Sequence, residues 1–234
     1  MDSERSVRPN LSNIALLHLR EKIINGSLTP QEKLVESDIA RELGISRGPV
    51  RDALKQLAVE GLVEYQPNKG CSVALLSPKD AYEVFFLRGN LELISLRHCQ
   101  GVLSQEALDT MEQALRDMET AVSSDDTMAS IAADELFHLQ IARAAGVEML
   151  TKMWLQLSPL NGAMFLSVKK ANESDLGQES PSSSYAPRGQ LVKAHRIIYD
   201  AIRAKDLVHS SIALEEHYLG VGRRVHRTLD SFVR

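Results

Sequence analysis

"LGISRGPVRDALKQLAVEGLV", residues Leu43 to Val63, sets three cations at steps of four: Arg47, Arg51 and Lys55. At about 100° per residue these fall within roughly 80° of one another on a helix. Val50, Ala53, Leu54 and Leu57 fall on the adjoining arc, so the helix has one apolar face and one basic edge. Ser46 suits the N-cap, Pro49 is tolerated in the first turn, and Gly61 ends the helix after about Glu60. Upstream, a shorter helix over about Ser37 to Leu43 packs through Ile39, Ala40 and Leu43, and Gly44 makes the turn between the two. Two helices, a tight turn and basic residues opening the second describe a helix-turn-helix.

Working outward, Leu11, Ile14, Leu17, Ile23 and Ile24 recur at helical spacing before Gly26, and Pro30 marks a loop. Beyond the basic helix come "LVEYQ", the turn "PNKG" and "CSVAL", two short strands around a turn. The expected order is helix, helix, helix, hairpin. The hairpin tip Asn68-Lys69-Gly70 reads as a wing, with Lys69 reaching phosphate or the minor groove. In the major groove an arginine bridges guanine O6 and N7, whereas lysine suits phosphate. A solvated basic edge on a small α+β domain would show the same spacing; the hairpin directly after the helix favours the DNA reading.

After Ser77-Pro78 the texture changes to long helical patterns, at about 79–102, 105–122, 127–145, 147–170, 190–204 and 206–232. Asn172 to Gly189 is polar and rich in Ser and Pro, and reads as a loop. No internal repeat is visible. The expected fold is mainly α with a small α+β part: residues 1–76 a winged helix-turn-helix, and residues 77–234 an all-α antiparallel bundle.

Composition narrows the function classes. The chain has 234 residues, 44% hydrophobic and 25% charged, which suits a globular protein of two domains. The opening MDSERSVRPN has no apolar core, so no signal peptide is expected, and no apolar run approaches a membrane span. Two distant cysteines, Cys71 and Cys99, argue against a disulfide framework or a cysteine zinc site and fit a reducing cytoplasm. Net charge is −4. Residues 1–76 balance ten Lys/Arg against ten Asp/Glu, so DNA contact must come from local patterning, not bulk charge.

The helical part holds a second constellation. "DELFHLQIARAAG" puts Asp134 and His138 four apart, on the side shared by Ile131, Ile141 and Ala145. A carboxylate on that interior side is costly without a partner. His195 lies among Leu191, Ile198 and Ile202, and His217 shares its side with Ala213, Leu214 and Val221. One aspartate and three histidines converging on one cavity would suit zinc, with nickel and manganese as alternatives, and would leave coordination positions open. Core histidines with hydrogen-bond partners are the plainer alternative. Arg88 shares its side with Ala81, Val84, Leu91 and Ser95, where an i,i+4 pair with Glu92 is the simplest account. Glu135 is directed away from Asp134 and His138, and there is no HExxH motif, which counts against a metal-dependent hydrolase.

The stretch "IINGSLTPQEKLVESDIARELGISRGPVRDALKQLAVEGLVEYQPNKGCSV" resembles the winged helix-turn-helix of the GntR family of bacterial transcription regulators, from about Leu19 to Val73. "SR-x-PVR-x-AL" and "EGLVE...PN-K-G" carry the likeness. The helical remainder resembles the FCD type, the effector-binding domain of the FadR subfamily, on "DELFH", "AHRII..AI" and "EEH". Gly48 stands where Thr is common, Cys71-Ser72 where a small-aromatic pair is common, and Val147 where Asn is usual.

The resemblance implies that Arg47 and Arg51 read bases, that Lys55 favours phosphate, that Lys69 sits at the wing tip, and that Ser37 and Ser46 are candidate phosphate donors. It implies a divalent metal on Asp134, His138, His195 and His217, and an Arg88 that pairs with a small organic-acid effector beside it. It further implies a homodimer on a palindromic operator of double-stranded DNA, acting as a repressor relieved by ligand. The apolar surplus on helices 79–102 and 105–122 could supply the dimer interface, though sequence alone does not separate interface from core. Two other classes stay open on the residues alone: a metal-dependent enzyme acting on a small carboxylate, and a DNA-binding protein whose helical part serves only dimerisation.

Overall fold

A computed structural model describes residues 10–66, 70–75, 77–174 and 190–230. The chain divides into two compact units, Met1–Leu75 and Leu76–Arg234.

In the first unit, α1 (Leu11–Ile24) starts at Asn10, whose side chain accepts from the Asn13 N–H at 3.2 Å. β1 (Lys33–Leu34) leads into α2 (Glu36–Leu43), then α3 (Arg47–Val59), β2 (Val63–Gln66) and β3 (Gly70–Val73). Gly44, at φ 65°, makes the left-handed turn that frees the chain to re-enter a helix at Arg47. Buried faces meet as the periodicity requires: Ala15, Leu19 and Ile23 from α1, Ile39 and Ala40 from α2, and Val50, Ala53, Leu54 and Leu57 from α3. An Arg20–Glu60 fork (Nη2–Oε1 2.6 Å, Nε–Oε2 3.2 Å) ties α1 to the end of α3. The sheet is antiparallel in the order β1-β3-β2, with Leu34 opposite Cys71 and Tyr65 opposite Cys71 on the other side. β1 is an element absent from the sequence reading. Two residues give no alternation to detect, and the pairing with β3 comes from segments far apart in the chain.

The second unit is helical: α4 (Pro78–His98), α5 (Gln105–Ser124), α6 (Thr127–Arg143), α7 (Glu148–Ser174), α8 (Gln190–Arg203) and α9 (Leu207–Asp230). α4 opens with a capping box, Ser77 and Asp80 each bonding the other's backbone N–H. α4 packs on α9, α7 and α6, while α5 packs on α6 and α8. The core includes Phe85, Leu96, Met111, Leu115, Met118, Phe137, Ile141, Ile198 and Leu214, and Ala142, Leu150 and Trp154 form a satellite cluster. Ser95 is buried on α4. Its hydroxyl donates to the Ile141 carbonyl at 2.6 Å and accepts from the Ala145 N–H at 2.9 Å, satisfying backbone at the end of α6.

Three expectations change. α4 stops at His98, short of 102, because Gln100 and Gly101 turn the chain at positive φ. α7 continues through Asn172 to Ser174, so the loop begins later than read. After Pro159 and Gly162, which lie within the helix, neither Gly nor Pro occurs again before Gly177, and residues 175–189 lie outside the described ones. The apolar residues of α5 (Met111, Ala114, Leu115, Met118, Ala121) are buried within the bundle itself. Exposed apolar surface on this pair of helices belongs to α4, at Tyr82, Phe86, Leu87 and Ile94.

Candidate functional site

α6 carries Asp134 and His138 one turn apart, α8 carries His195 and α9 carries His217. Each offers a ligand atom, and these atoms lie within 4.8 Å of one another. Asp134 Oδ1 stands 3.0 Å from His195 Nε2 and 3.9 Å from His138 Nε2, and the two Nε2 atoms are 3.1 Å apart. Asp134, His138 and His195 are buried and His217 is partly so. The ring centroids of His217 lie 5.0 Å from His138 and 4.5 Å from His195.

The opposite edges of two rings are already committed. His195 Nδ1 donates to the Leu191 carbonyl at 2.8 Å, and His138 Nδ1 donates to the Glu92 carboxylate at 2.8 Å. As neutral rings, both would turn Nε2 lone pairs toward each other and toward a carboxylate oxygen. Such a convergence is repulsive unless a proton or a metal cation stands in it. The spacing suits one, since two ligands of a tetrahedral zinc at about 2.0–2.1 Å sit about 3.3 Å apart.

The same demand shows in the proton equilibria. Burial opposes ionisation of Asp134, yet the His195 hydrogen bond and the surrounding imidazoles outweigh it and hold this carboxyl well below the usual range. Burial likewise disfavours the charged form of His138, but Glu92 and Asp134 prevail and raise its pKa.

Arg88 is 1% exposed. Its guanidinium lies 4.1 Å over the Trp154 ring, and Nη1 meets Glu135 Oε1 at 2.9 Å. The Glu92 pair expected as the simplest account does not form: Glu135 takes that place, itself accepting from Ser158 and from Asn161 at 2.6 Å. Arg88 Nε has no hydrogen-bond partner among the described residues. A buried guanidinium donor without an acceptor favours an anion beside it.

Glu92 is the residue the sequence reading passed over, treating it only as a partner for Arg88. It is fully buried and takes Trp154 Nε1–H at 2.7 Å, the Tyr218 hydroxyl and His138 Nδ1–H. Tyr218 is held neutral, its pKa raised first by burial and then by the Glu92 charge. One signal was available: an acid on the apolar side of α4, where ionisation needs partners.

In the first unit Arg47, Arg51 and Lys55 are all exposed along α3. Arg51 forks onto Glu36 at the start of α2, Nε–Oε1 3.0 Å and Nη2–Oε2 2.8 Å. The Arg51 hydrogen bond holds the Glu36 carboxyl below its ordinary pKa. Lys55 stands 4.0 Å from Asp52. Ser37 is partly exposed; Ser46 occupies the N-cap position of α3, but its side chain makes no capping bond. Lys69 lies outside the described residues. Among the described residues no helix is long and apolar enough to cross a membrane.

A winged helix-turn-helix with an exposed basic edge, followed by a helical bundle around a carboxylate–imidazole cluster, defines a class: DNA-binding regulators with a helical second domain. The comparisons agree. Residues 83–220 match the FCD domain and residues 12–73 match the bacterial regulatory proteins of the gntR family. The chain belongs to the GntR family of transcriptional regulators, in its FCD-containing branch.

It is similar to the uncharacterized HTH-type transcriptional regulator YdhC of Bacillus subtilis, 31% identical over 44% of this chain and 46% of that protein. It is also similar to the gluconate operon transcriptional repressor of Bacillus subtilis, 25% identical over 88% of this chain and 82% of that one. The solved structure of E. coli McbR/YncC shares the fold at a TM-score of 0.74, 21% identity, 94% of this chain and 99% of that chain. Family and relatives are transcriptional regulators, not enzymes.

Proposed function

We propose that this chain is a ligand-relieved repressor, a cytoplasmic homodimer whose helical unit mediates dimerisation and binds a small organic acid at a divalent metal. The observation that carries the reading is the convergence of Asp134, His138, His195 and His217, whose ligand atoms lie within 4.8 Å of one another. Zinc is the first candidate metal, nickel and manganese the alternatives. When bound, the metal would act as a Lewis acid that fixes a carboxylate oxygen. Arg88 would orient the acid through a charge-assisted bond, and the donor at its Nε supports that role. The relative's gluconate operon makes sugar acids the first class to try.

On the DNA side Arg47 and Arg51 would read bases of a palindromic operator, with Lys55, Lys69, Ser37 and Ser46 on phosphates. Two copies double the basic edges and set the half-site spacing. The acid acts only through a difference in affinity between operator-competent and operator-incompetent states.

The test is operator selection from random duplex by the full chain, followed by titration of the bound duplex with gluconate and related carboxylates, with and without a chelator. Release by one acid that disappears with the chelator and in Arg88→Ala supports the reading. A metal-free purified protein that no divalent ion restores, or release indifferent to the chelator, defeats it.

A further inference from the structure

We infer that Glu92 is a positioning residue for the metal centre: it fixes which nitrogen of His138 is offered to the ion. The inference rests on the metal reading above and goes beyond it, since Glu92 is not itself one of the converging ligands.

Four helices meet on this one carboxylate. Glu92 comes from α4, His138 from α6, Trp154 from α7 and Tyr218 from α9. Oε2 takes the His138 Nδ1 proton, and Oε1 takes the Trp154 indole N–H and the Tyr218 hydroxyl. With its proton held at Nδ1, a neutral His138 must leave Nε2 bare, and Nε2 is the atom 3.1 Å from His195 Nε2. The reverse tautomer would put a hydrogen into the space where the ligand atoms converge. A carboxylate in this place also raises the basicity of the imidazole it holds.

The backbone accommodates the arrangement at Gly89. A Cβ there would lie 2.8 Å from Tyr218 Cγ, so only glycine lets the Tyr218 ring lie against α4 with its hydroxyl at Glu92. Leu191 does the same work for His195 through a main-chain carbonyl. Glu92 differs in bringing a charge, and in being shared with helices α7 and α9.

Glu92→Gln keeps the shape and removes the charge. Its amide must also turn donors toward one side: against the indole N–H, or against His138 Nδ1, where it would force the wrong tautomer. Zinc(II) affinity of the full chain, measured by competition with a chromophoric chelator, should fall about 10- to 100-fold in this variant, with far-UV circular dichroism unchanged. ¹⁵N-imidazole spectra of the metal-free wild type, assigned with His138→Gln, should show His138 as the Nδ1–H tautomer, or doubly protonated at low pH. Equal zinc affinity in a folded Glu92→Gln overturns the inference alone, and so does an Nε2–H tautomer in the wild type. The spectra decide the matter even if the variant fails to fold. A wild type that takes up no zinc overturns the metal reading and this inference together.

Discussion

Arg51, proposed to read a base, is held by its own protein. Its Nε and Nη2 are bound to Glu36, which leaves Nη1 outside this fork. A guanidinium fixed in this way loses little freedom when it meets a base edge. Arg47→Ala or Arg51→Ala should therefore weaken operator binding by about 1–3 kcal/mol and flatten base preference. Glu36→Gln should bind random duplex more tightly, having one negative charge fewer, yet discriminate the operator less well. Fluorescence anisotropy on selected and random duplexes checks both, and unchanged discrimination in all three variants defeats the assignment. The pH dependence follows in sign. Because folding depresses the Glu36 pKa, the pair stabilises the protein above the ordinary carboxylate range and is lost as pH falls through the folded value. An NMR titration of Glu36 should show its midpoint return to the ordinary range in Arg51→Ala.

Among the elements, α4 does the most joining. Its capping box starts it, Ser95 closes the end of α6, Glu92 gathers three side chains, and Arg88 holds Glu135. Ser95→Ala removes a donor and an acceptor at once: the Ala145 N–H loses its partner and the Ile141 carbonyl keeps only the Ala144 N–H. It should cost about 1–3 kcal/mol. Trp154 is the chain's single tryptophan and lies in the helical unit, so its fluorescence in a urea titration reads this unit separately. A midpoint within error of wild type would contradict the bond's role. The helix faces were legible beforehand, since Asp134 and His138 at i,i+4 must leave one side and the apolar residues name that side as interior. Whether an apolar face meets its own bundle or a second copy was not legible. Periodicity reports only that a face is buried, and α5 proved to spend its face internally.

For the whole molecule, a metal held by the cluster would stitch α6, α8 and α9 at one point, and binding and stability of the helical unit would then be linked. Free zinc at about 100 times its dissociation constant should stabilise that unit by about 2.7 kcal/mol. The Trp154 transition would move to higher urea and return on adding a chelator. Asp134→Asn should abolish the response without moving the first unit. A Trp154 transition indifferent to zinc, nickel and manganese in the wild type would mean that no ion closes the cluster.

By itself the sequence determined the helix-turn-helix, the basic edge and the four candidate ligands. Each of these is written in local spacing: steps of four along one helix, an apolar arc beside a polar one, a glycine where the turn reverses. The tertiary structure alone decided which groups those residues answer to. Glu92 reaches His138 across 46 residues, Trp154 across 62 and Tyr218 across 126. Arg88 passes over the acid four residues away for Glu135 on another helix. Such pairs leave no period in the chain, because they depend on how helices pack, and packing is settled by the summed burial of many side chains and not by the two that finally touch.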